Sequence, residues 1–213
     1  MTINSILDTR RGLYHLLTAL YRYPLHLKTL MALVSLDVVD ADPLASSLHD
    51  LQQTLPTPDA FVLERLNIEM TRLMEGPGQT PASPYASYYL NNKQLMGPAA
   101  QAVRRAYLEW QAVPQQAFTI PPDHISLEMG FMAFLADHAV GVQEDVLLDI
   151  LRASFSFLRE HLLPWLPRFC ADLETNSREP FFAALARFTL QVTEADRIWI
   201  EDVLTSESIR QIL

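Results

Sequence analysis

Cysteine and glycine are both scarce in this sequence of 213 residues, which has one cysteine and six glycines. Cys170 alone cannot form an intramolecular disulfide, so a disulfide-stabilised secreted domain is excluded and a reducing compartment is favoured. The glycines form no GxGxxG or GxxxxGK phosphate loop, and there is no GxSxG nucleophile elbow or HExxH zinc helix. These absences predict a binding protein without catalytic machinery.

Basic residues are outnumbered, because 16 Lys and Arg stand against 25 Asp and Glu, a formal net charge of -9. Phosphate backbones are bound by clustered Lys and Arg, so a nucleic-acid partner is disfavoured. The acidity would attract a cationic partner, or it serves solubility alone. Long apolar runs are lacking too, since no charge-free stretch reaches the roughly 18 residues of a membrane helix. We therefore expect no stable membrane insertion.

The pair Arg10 and Arg11 superficially resembles the start of a twin-arginine export signal. The apolar stretch that follows is short, contains His15, and runs into Arg22 and Pro24 instead of a small-residue cleavage site. An amphipathic helix explains the same residues. We therefore interpret this segment as a first helix of about five turns that ends before Pro24.

Helical spacing of apolar residues recurs along the chain, and no segment shows the two-residue rhythm of a strand. Proline is tolerated at the first position of a helix, so several prolines mark helix starts. Further helices are predicted from Leu27, Pro43, Pro58 (with Phe61 on its apolar side), Pro98, Asp123 to about Ala139, Glu144 to about His161, after Pro164, and from Pro180 toward Leu204. The sequence predicts an all-α fold, with residues 1–213 forming a single globular domain of about eight or nine helices.

Two irregular segments interrupt this helical pattern. The first is a long loop from Glu75 to Pro84. The second, residues 112–122, contains three prolines and separates an N-terminal from a C-terminal set of helices. It is either a simple connection or a hinge, and a hinge would permit exchange of helices between two copies. We expect a monomer or a domain-swapped dimer.

The densest mixture of polar and apolar residues is the segment IPPDHISLEM, residues 120–129. Two prolines rigidify the approach to a helix, where Asp123 is placed to cap the N-terminus and His124 would be a half-exposed residue of the first turn. Alternatively, Asp123 and His124 form the rim of a peptide groove, where the carboxylate pairs with a cationic group. His124 and Glu128, four residues apart, are too few ligands to predict a metal site.

The segment PPDHISLEMGF resembles the PDH(I/L)xxEL signature of the TorD/DmsD family of chaperones, which proofread redox-enzyme precursors before twin-arginine export. SPYASYYL at residues 83–90, LMGP at 95–98, HLLPW at 161–165 and PFFAALARFT at 180–189 are similar to other parts of that family, so the resemblance covers roughly residues 84–190 in order. One position departs from the signature, since Ile120 stands where the family usually has glutamate. This departure bears on partner identity.

The resemblance implies a cytoplasmic chaperone that binds the twin-arginine leader, and in some members the mature part, of an apo-form molybdenum oxidoreductase subunit, delaying export until the cofactor is inserted. Carried over by position, the peptide-binding residues are Tyr85, Ser87, Tyr89, Gly97, Pro122, Asp123, His124 and Glu128. We expect joint substitution of Asp123 and His124 to weaken leader binding and leave melting nearly unchanged. Aromatic residues at helical spacing are assigned to the core instead: Trp165, Phe169, Phe181 and Phe182.

Three other interpretations remain open at this point. A nitrate-reductase-type assembly chaperone would serve a cytoplasm-facing subunit whose leader is vestigial or absent. A metal-dependent hydrolase would use His124, Glu128, Asp137 and His138. Weak guanine nucleotide or molybdenum-cofactor binding is implied by the resemblance alone, because no phosphate loop marks a pocket, so no cofactor is predicted.

Overall fold

The first helix, α1, is Ile3–Leu20, and its apolar stripe is buried as the periodicity predicts. A computed structural model describes residues 2–37, 43–55, 57–76, 79–112 and 120–206. Thr2 caps α1, since its side chain accepts a hydrogen bond from the Ser5 N–H. Arg10 lies inside the protein, where its Nε is 2.7 Å from Asp196 Oδ1. The amphipathic-helix interpretation of the arginine pair is therefore confirmed.

The described residues form ten α-helices and two π-helical turns, with no β-strand among them. After α1 the helices are α2 Leu27–Val34, α3 Pro43–Gln53, α4 Ala60–Met70, α5 Ala86–Leu90, α6 Pro98–Glu109, α7 Ile125–His138, α8 Glu144–Phe157, α9 Leu166–Asn176 and α10 Pro180–Thr205. The π-helical turns Thr71–Glu75 and Leu158–Leu162 continue α4 and α8. The predicted all-α class is confirmed.

Three details differ from the sequence-based expectations. α4 begins at Ala60, two residues after Pro58, because Asp59 caps it through the Val62 N–H at 2.8 Å. The short α5 was not predicted, since five residues are too few for a periodic pattern. Phe61 is 69% exposed and does not face the core with Leu66 and Met70, which were predicted on the same side of the helix.

The core is centred on α7, which packs against α1 and α8, while α10 packs against α3, α8 and α9. Nearly the whole of α7 is buried, which explains its almost continuous apolar sequence. Trp165, Phe169, Phe181 and Phe182 are buried, as predicted. Burial also raises the pKa of the Cys170 thiol, with a smaller contribution from Glu174.

Some predictions fall on residues that are not described. Residues 113–119 lie outside the described part of the chain, so a hinge at 112–122 stays a prediction. Residues 77 and 78 of the predicted 75–84 loop lie outside it as well. Among the described helices, none combines the length and apolarity needed to cross a bilayer.

Candidate functional site

The segments 84–87 and 121–125, far apart in sequence, run antiparallel to each other at the start of α5 and α7. Tyr85 and His124 form an isolated bridge. The Ala86 N–H donates to the Asp123 carbonyl at 3.0 Å, and the Ile125 N–H donates to the Pro84 carbonyl at 2.8 Å. Backbone hydrogen bonds therefore join the two segments that carry most of the predicted peptide-binding residues.

The Asp123 carboxylate is fully buried and caps a helix other than its own. Its Oδ2 accepts a hydrogen bond from the Ser87 N–H at 2.7 Å. Ser87 is the second residue of α5, whose free N–H groups favour a carboxylate. The expectation that Asp123 caps the following helix is wrong in this respect, because sequence spacing alone does not reveal a cap supplied from 36 residues away.

His124 caps α7. Its Nδ1 accepts from the Ser126 N–H at 3.1 Å, and its ring meets the Tyr85 ring edge-on, with centroids 5.2 Å apart. On its other side, Nε2 lies 3.4 Å from Glu75 Oε1. The expectation of a half-exposed His124 is wrong, since the residue is 4% exposed.

Glu128 lies one turn into α7, fully buried beside Asp123. Burial raises the pKa of its carboxyl well above the usual value, and the charge of Asp123 raises it further. The Trp165 Nε1–H donates to Glu128 Oε2 at 3.3 Å. Nearby, the Tyr107 hydroxyl donates to the Pro122 carbonyl at 2.9 Å. Both effects favour the neutral form of the Glu128 carboxyl.

Above this buried layer lies an open cleft formed by two adjoining cavities of ≈ 880 Å³ and ≈ 370 Å³. We refer to it as the tyrosine cleft. The two cavities share Gln79, Thr80, Tyr88 and Lys93. The larger cavity is also lined by Pro81, Tyr89, Asn92, Arg168, Ala171, Asp172 and Asn176, and the smaller by Met74, Glu75, Gly76, Ser83, Tyr85 and Leu95. A carboxylate therefore lies toward each end, with Tyr88 and Lys93 between.

The tyrosines of the cleft combine apolar ring faces with polar hydroxyl groups. The Tyr89 hydroxyl donates to Asp172 Oδ2 at 2.9 Å, and its ring stacks on Trp165 with centroids 5.7 Å apart. Arg168 donates to the Tyr89 carbonyl at 2.8 Å. The pKa of Tyr85 is raised to about 12, mainly by burial and to a smaller extent by the negative charges of Glu75 and Asp123. Such a surface suits a peptide of mixed polar and apolar character.

The predicted peptide-binding residues thus divide into two layers. Tyr85 and Tyr89 line the tyrosine cleft. Five others are buried next to the cleft: Ser87, Pro122, Asp123, His124 and Glu128. Their role in peptide binding stays a prediction, and the structure places them as supports of the cleft.

Gly97 lies to one side, as the N-cap residue of α6. A Cβ atom at Gly97 would lie 2.8 Å from Asn91 Oδ1, which accepts a hydrogen bond from the Ala99 N–H. Glycine therefore allows the close packing of the 91–97 turn. Ile120, in place of the family's glutamate, is half-buried and packs against the core.

Sequence reasoning missed several residues of the cleft. Tyr88 stands inside a segment that already resembled the family, so its neighbours could have indicated it. Glu75 and Lys93 lie in or beside irregular segments without a motif, and Arg168 and Asp172 lie on a helix interpreted as core. No local signal marks these four residues.

The residues of the hydrolase interpretation are not brought together. His124 and Asp137 lie at opposite ends of α7, about 20 Å apart at 1.5 Å per residue. Asp137 instead pairs with His15, whose Nε2 is 2.9 Å from its Oδ1. In the described part of the chain, no group of three or more His, Cys, Asp or Glu is placed to hold a metal ion.

The comparison with protein families gives a match over the middle of the chain. The model of the family described as "Nitrate reductase delta subunit" matches residues 39–171, more than half of the chain. It covers α3 to the middle of α9 and therefore includes both segments that build the cleft.

Several curated relatives carry the name chaperone protein TorD. The protein from Shewanella piezotolerans is 27% identical over 97% of each chain, and that from Aliivibrio salmonicida is 26% identical over 91% of this chain and 95% of its own. The protein from Vibrio cholerae is 29% identical, and the match covers 58% of this chain and 56% of that relative's length. These names agree with the prediction of a binding protein that is not an enzyme.

The fold also has a crystallographic counterpart, a protein from Archaeoglobus fulgidus described as a redox enzyme maturation protein. It superimposes with a TM-score of 0.55 at 21% identity, covering 91% of this chain and 94% of that one. At this identity the likeness concerns the fold alone. The resemblance seen in the sequence is confirmed, and this chain belongs to the nitrate reductase delta subunit family, with TorD chaperones among its relatives.

Proposed function

We propose that this protein is a cytoplasmic chaperone that binds the twin-arginine leader of a molybdenum oxidoreductase subunit and delays its export until the cofactor is inserted. The observation that carries the proposal is the tyrosine cleft, which is built on the PDH segment and has a carboxylate toward each end. A leader peptide is basic and then apolar. Acidic groups would bind its arginines, and the tyrosine faces would bury its apolar part.

The charge of the whole chain supports the same partner. A net charge of -9 attracts a cationic leader and speeds the encounter. The names of the relatives and of the structural counterpart, which refer to chaperones and to redox enzyme maturation, support the same class of client.

The test is calorimetric titration of the full chain with leader peptides of molybdenum oxidoreductases encoded in the same genome. We expect saturable binding of one leader, weakened when both of its arginines are replaced by glutamine. The control is a scrambled peptide of the same composition, which should not bind. Binding of no leader, or equal binding of the scrambled peptide, would contradict the proposal.

A second candidate is an assembly chaperone of the nitrate-reductase type, acting on a subunit that stays in the cytoplasm. The description of the matching family favours it. Such a protein would bind the N-terminal segment of its client whether or not that segment contains an arginine pair. Equal affinity for the native leader and its double-glutamine version would therefore favour this candidate over the first.

A further inference from the structure

We infer that Glu75 is the carboxylate of the tyrosine cleft that binds a basic side chain of the partner peptide, and that His124 positions it. The inference deepens the proposed function and rests on it. Glu75 ends the π-helical turn after α4 and lines the smaller cavity with Tyr85, Tyr88 and Leu95. Its side chain is 26% exposed, so its carboxylate reaches both the cleft and the buried layer.

His124 lies directly beside Glu75. The Ser126 N–H donates to His124 Nδ1 at 3.1 Å, which leaves the ring proton on Nε2. That nitrogen faces Glu75 Oε1 at 3.4 Å. The ring therefore limits the positions that the Glu75 carboxylate can take. The His124 ring is itself held by the capping bond and by the edge of Tyr85.

The other carboxylate of the cleft, Asp172, is in a different electrostatic setting. It accepts the Tyr89 hydroxyl at 2.9 Å, and Arg168 lies one turn earlier on α9, where side chains four residues apart are neighbours. The Arg168 guanidinium lies 5.4 Å from the Tyr89 ring centre. A cation within this group weakens the attraction of Asp172 for a second cation, so Glu75 is the stronger site for an incoming arginine.

The surroundings of Glu75 suit a guanidinium followed by apolar residues. The Tyr85 and Tyr88 rings offer faces on which a guanidinium can stack, and Leu95, 46% exposed, extends the apolar wall. Lys93 is the cation lining this cavity, and its Nζ lies 5.5 Å from the centre of the Tyr88 ring. It repels an incoming arginine, so its removal should have the opposite effect to removal of the Glu75 charge.

The test is a calorimetric titration that measures the affinity of each protein for two peptides. The proteins are the wild-type chain, Glu75→Gln, Lys93→Met and the matched control Asp172→Asn. One peptide is the leader that the wild-type protein binds, and the other carries glutamine in place of both arginines. A charge-assisted hydrogen bond corresponds to a loss of roughly tenfold or more in affinity. We expect this loss for Glu75→Gln with the native leader, little loss with the glutamine peptide, and tighter binding for Lys93→Met.

His124→Asn tests the positioning role, because asparagine can still cap α7 but cannot place a donor beside Glu75. We expect the ratio of affinities for the two peptides to fall toward that of Glu75→Gln, a change that loss of stability alone would not produce. Circular dichroism melting confirms that each variant is folded. Should Asp172→Asn lose affinity and Glu75→Gln keep it, the inference is overturned and the proposed function stands. Failure of the wild-type protein to bind any leader defeats the proposed function and the inference together.

Discussion

Replacing Asp123 with alanine removes the cap that one segment of the chain supplies to a helix in another. The Asp123 carboxylate is fully buried and accepts the Ser87 N–H at 2.7 Å. Alanine leaves this N–H buried without its acceptor at the start of α5, the helix that carries Tyr88 and Tyr89 into the cleft. The expected result is a loss of stability, not a selective loss of binding.

The magnitude follows from the nature of the bond. A hydrogen bond to a charged acceptor contributes about 1.5–3 kcal/mol, and a buried unsatisfied N–H costs about 1–3 kcal/mol. A net destabilisation of about 2–3 kcal/mol corresponds to a fall in Tm of about 4–12 °C for a chain of this length.

Thermal melting followed by circular dichroism measures this effect, with Asp123→Asn as the matched control. Asparagine keeps an oxygen acceptor for the Ser87 N–H, so its Tm should stay within about 4 °C of wild type, which corresponds to about 1 kcal/mol. If the Tm of Asp123→Ala stays within 2 °C of wild type, the destabilisation is at most roughly 0.5–1 kcal/mol. That result would refute the capping role. The burial of Asp123 and His124 therefore argues against the expectation that both can be substituted without affecting melting.

Two further variants test the buried carboxyl groups through pH. The pKa of Glu128 is raised by burial and then by Asp123, so its stabilising contribution is present below the unfolded pKa and is lost as pH rises. The Tm of Glu128→Gln should therefore equal that of wild type near pH 4.5 and exceed it at pH 8. A difference in Tm between the two proteins that does not grow with pH would contradict this expectation. Burial opposes ionisation of Glu69, but hydrogen bonds from Arg72 and the Arg178 N–H outweigh it, and the pKa of Glu69 is lowered. Glu69→Gln should lower the free energy of unfolding by about 1.5–3 kcal/mol at pH 7, as measured by urea denaturation. The difference from wild type should disappear below about pH 4, where Glu69 is protonated in the unfolded chain. A difference independent of pH would show that the charge of Glu69 contributes nothing.

The helices could largely be predicted from the sequence because apolar periodicity and proline punctuation are local signals. Pro43, Pro98 and Pro180 each begin a helix, as predicted. The start at Pro58 was misplaced because Asp59 competes as a cap, and α5 is too short to show a period. Both errors arise where a local signal is ambiguous or too short to show a period.

The site was only partly predictable because its parts come together through tertiary contacts. The PDH segment and the tyrosine segment were both recognised, yet the hydrogen bonds that join them depend on a pairing across 36 residues. Burial reverses the expected roles, since Asp123 and Glu128 support the cleft from below while Glu75 and Asp172 line it. The sequence alone does not show whether an acidic side chain is buried or lines a surface cleft, because tertiary contacts decide its burial.

The most direct test of the leader-binding cleft is site-specific photo-crosslinking in solution. Tyr88, which lines both cavities, is replaced by benzoylphenylalanine, and Val146, an exposed position outside the cleft lining, is replaced in the same way as a control. We expect the leader peptide to crosslink at position 88, to be displaced by unlabelled leader, and to leave position 146 unmodified. Crosslinking at 146 alone, or equally at both positions, would contradict the assignment of the tyrosine cleft as the binding site.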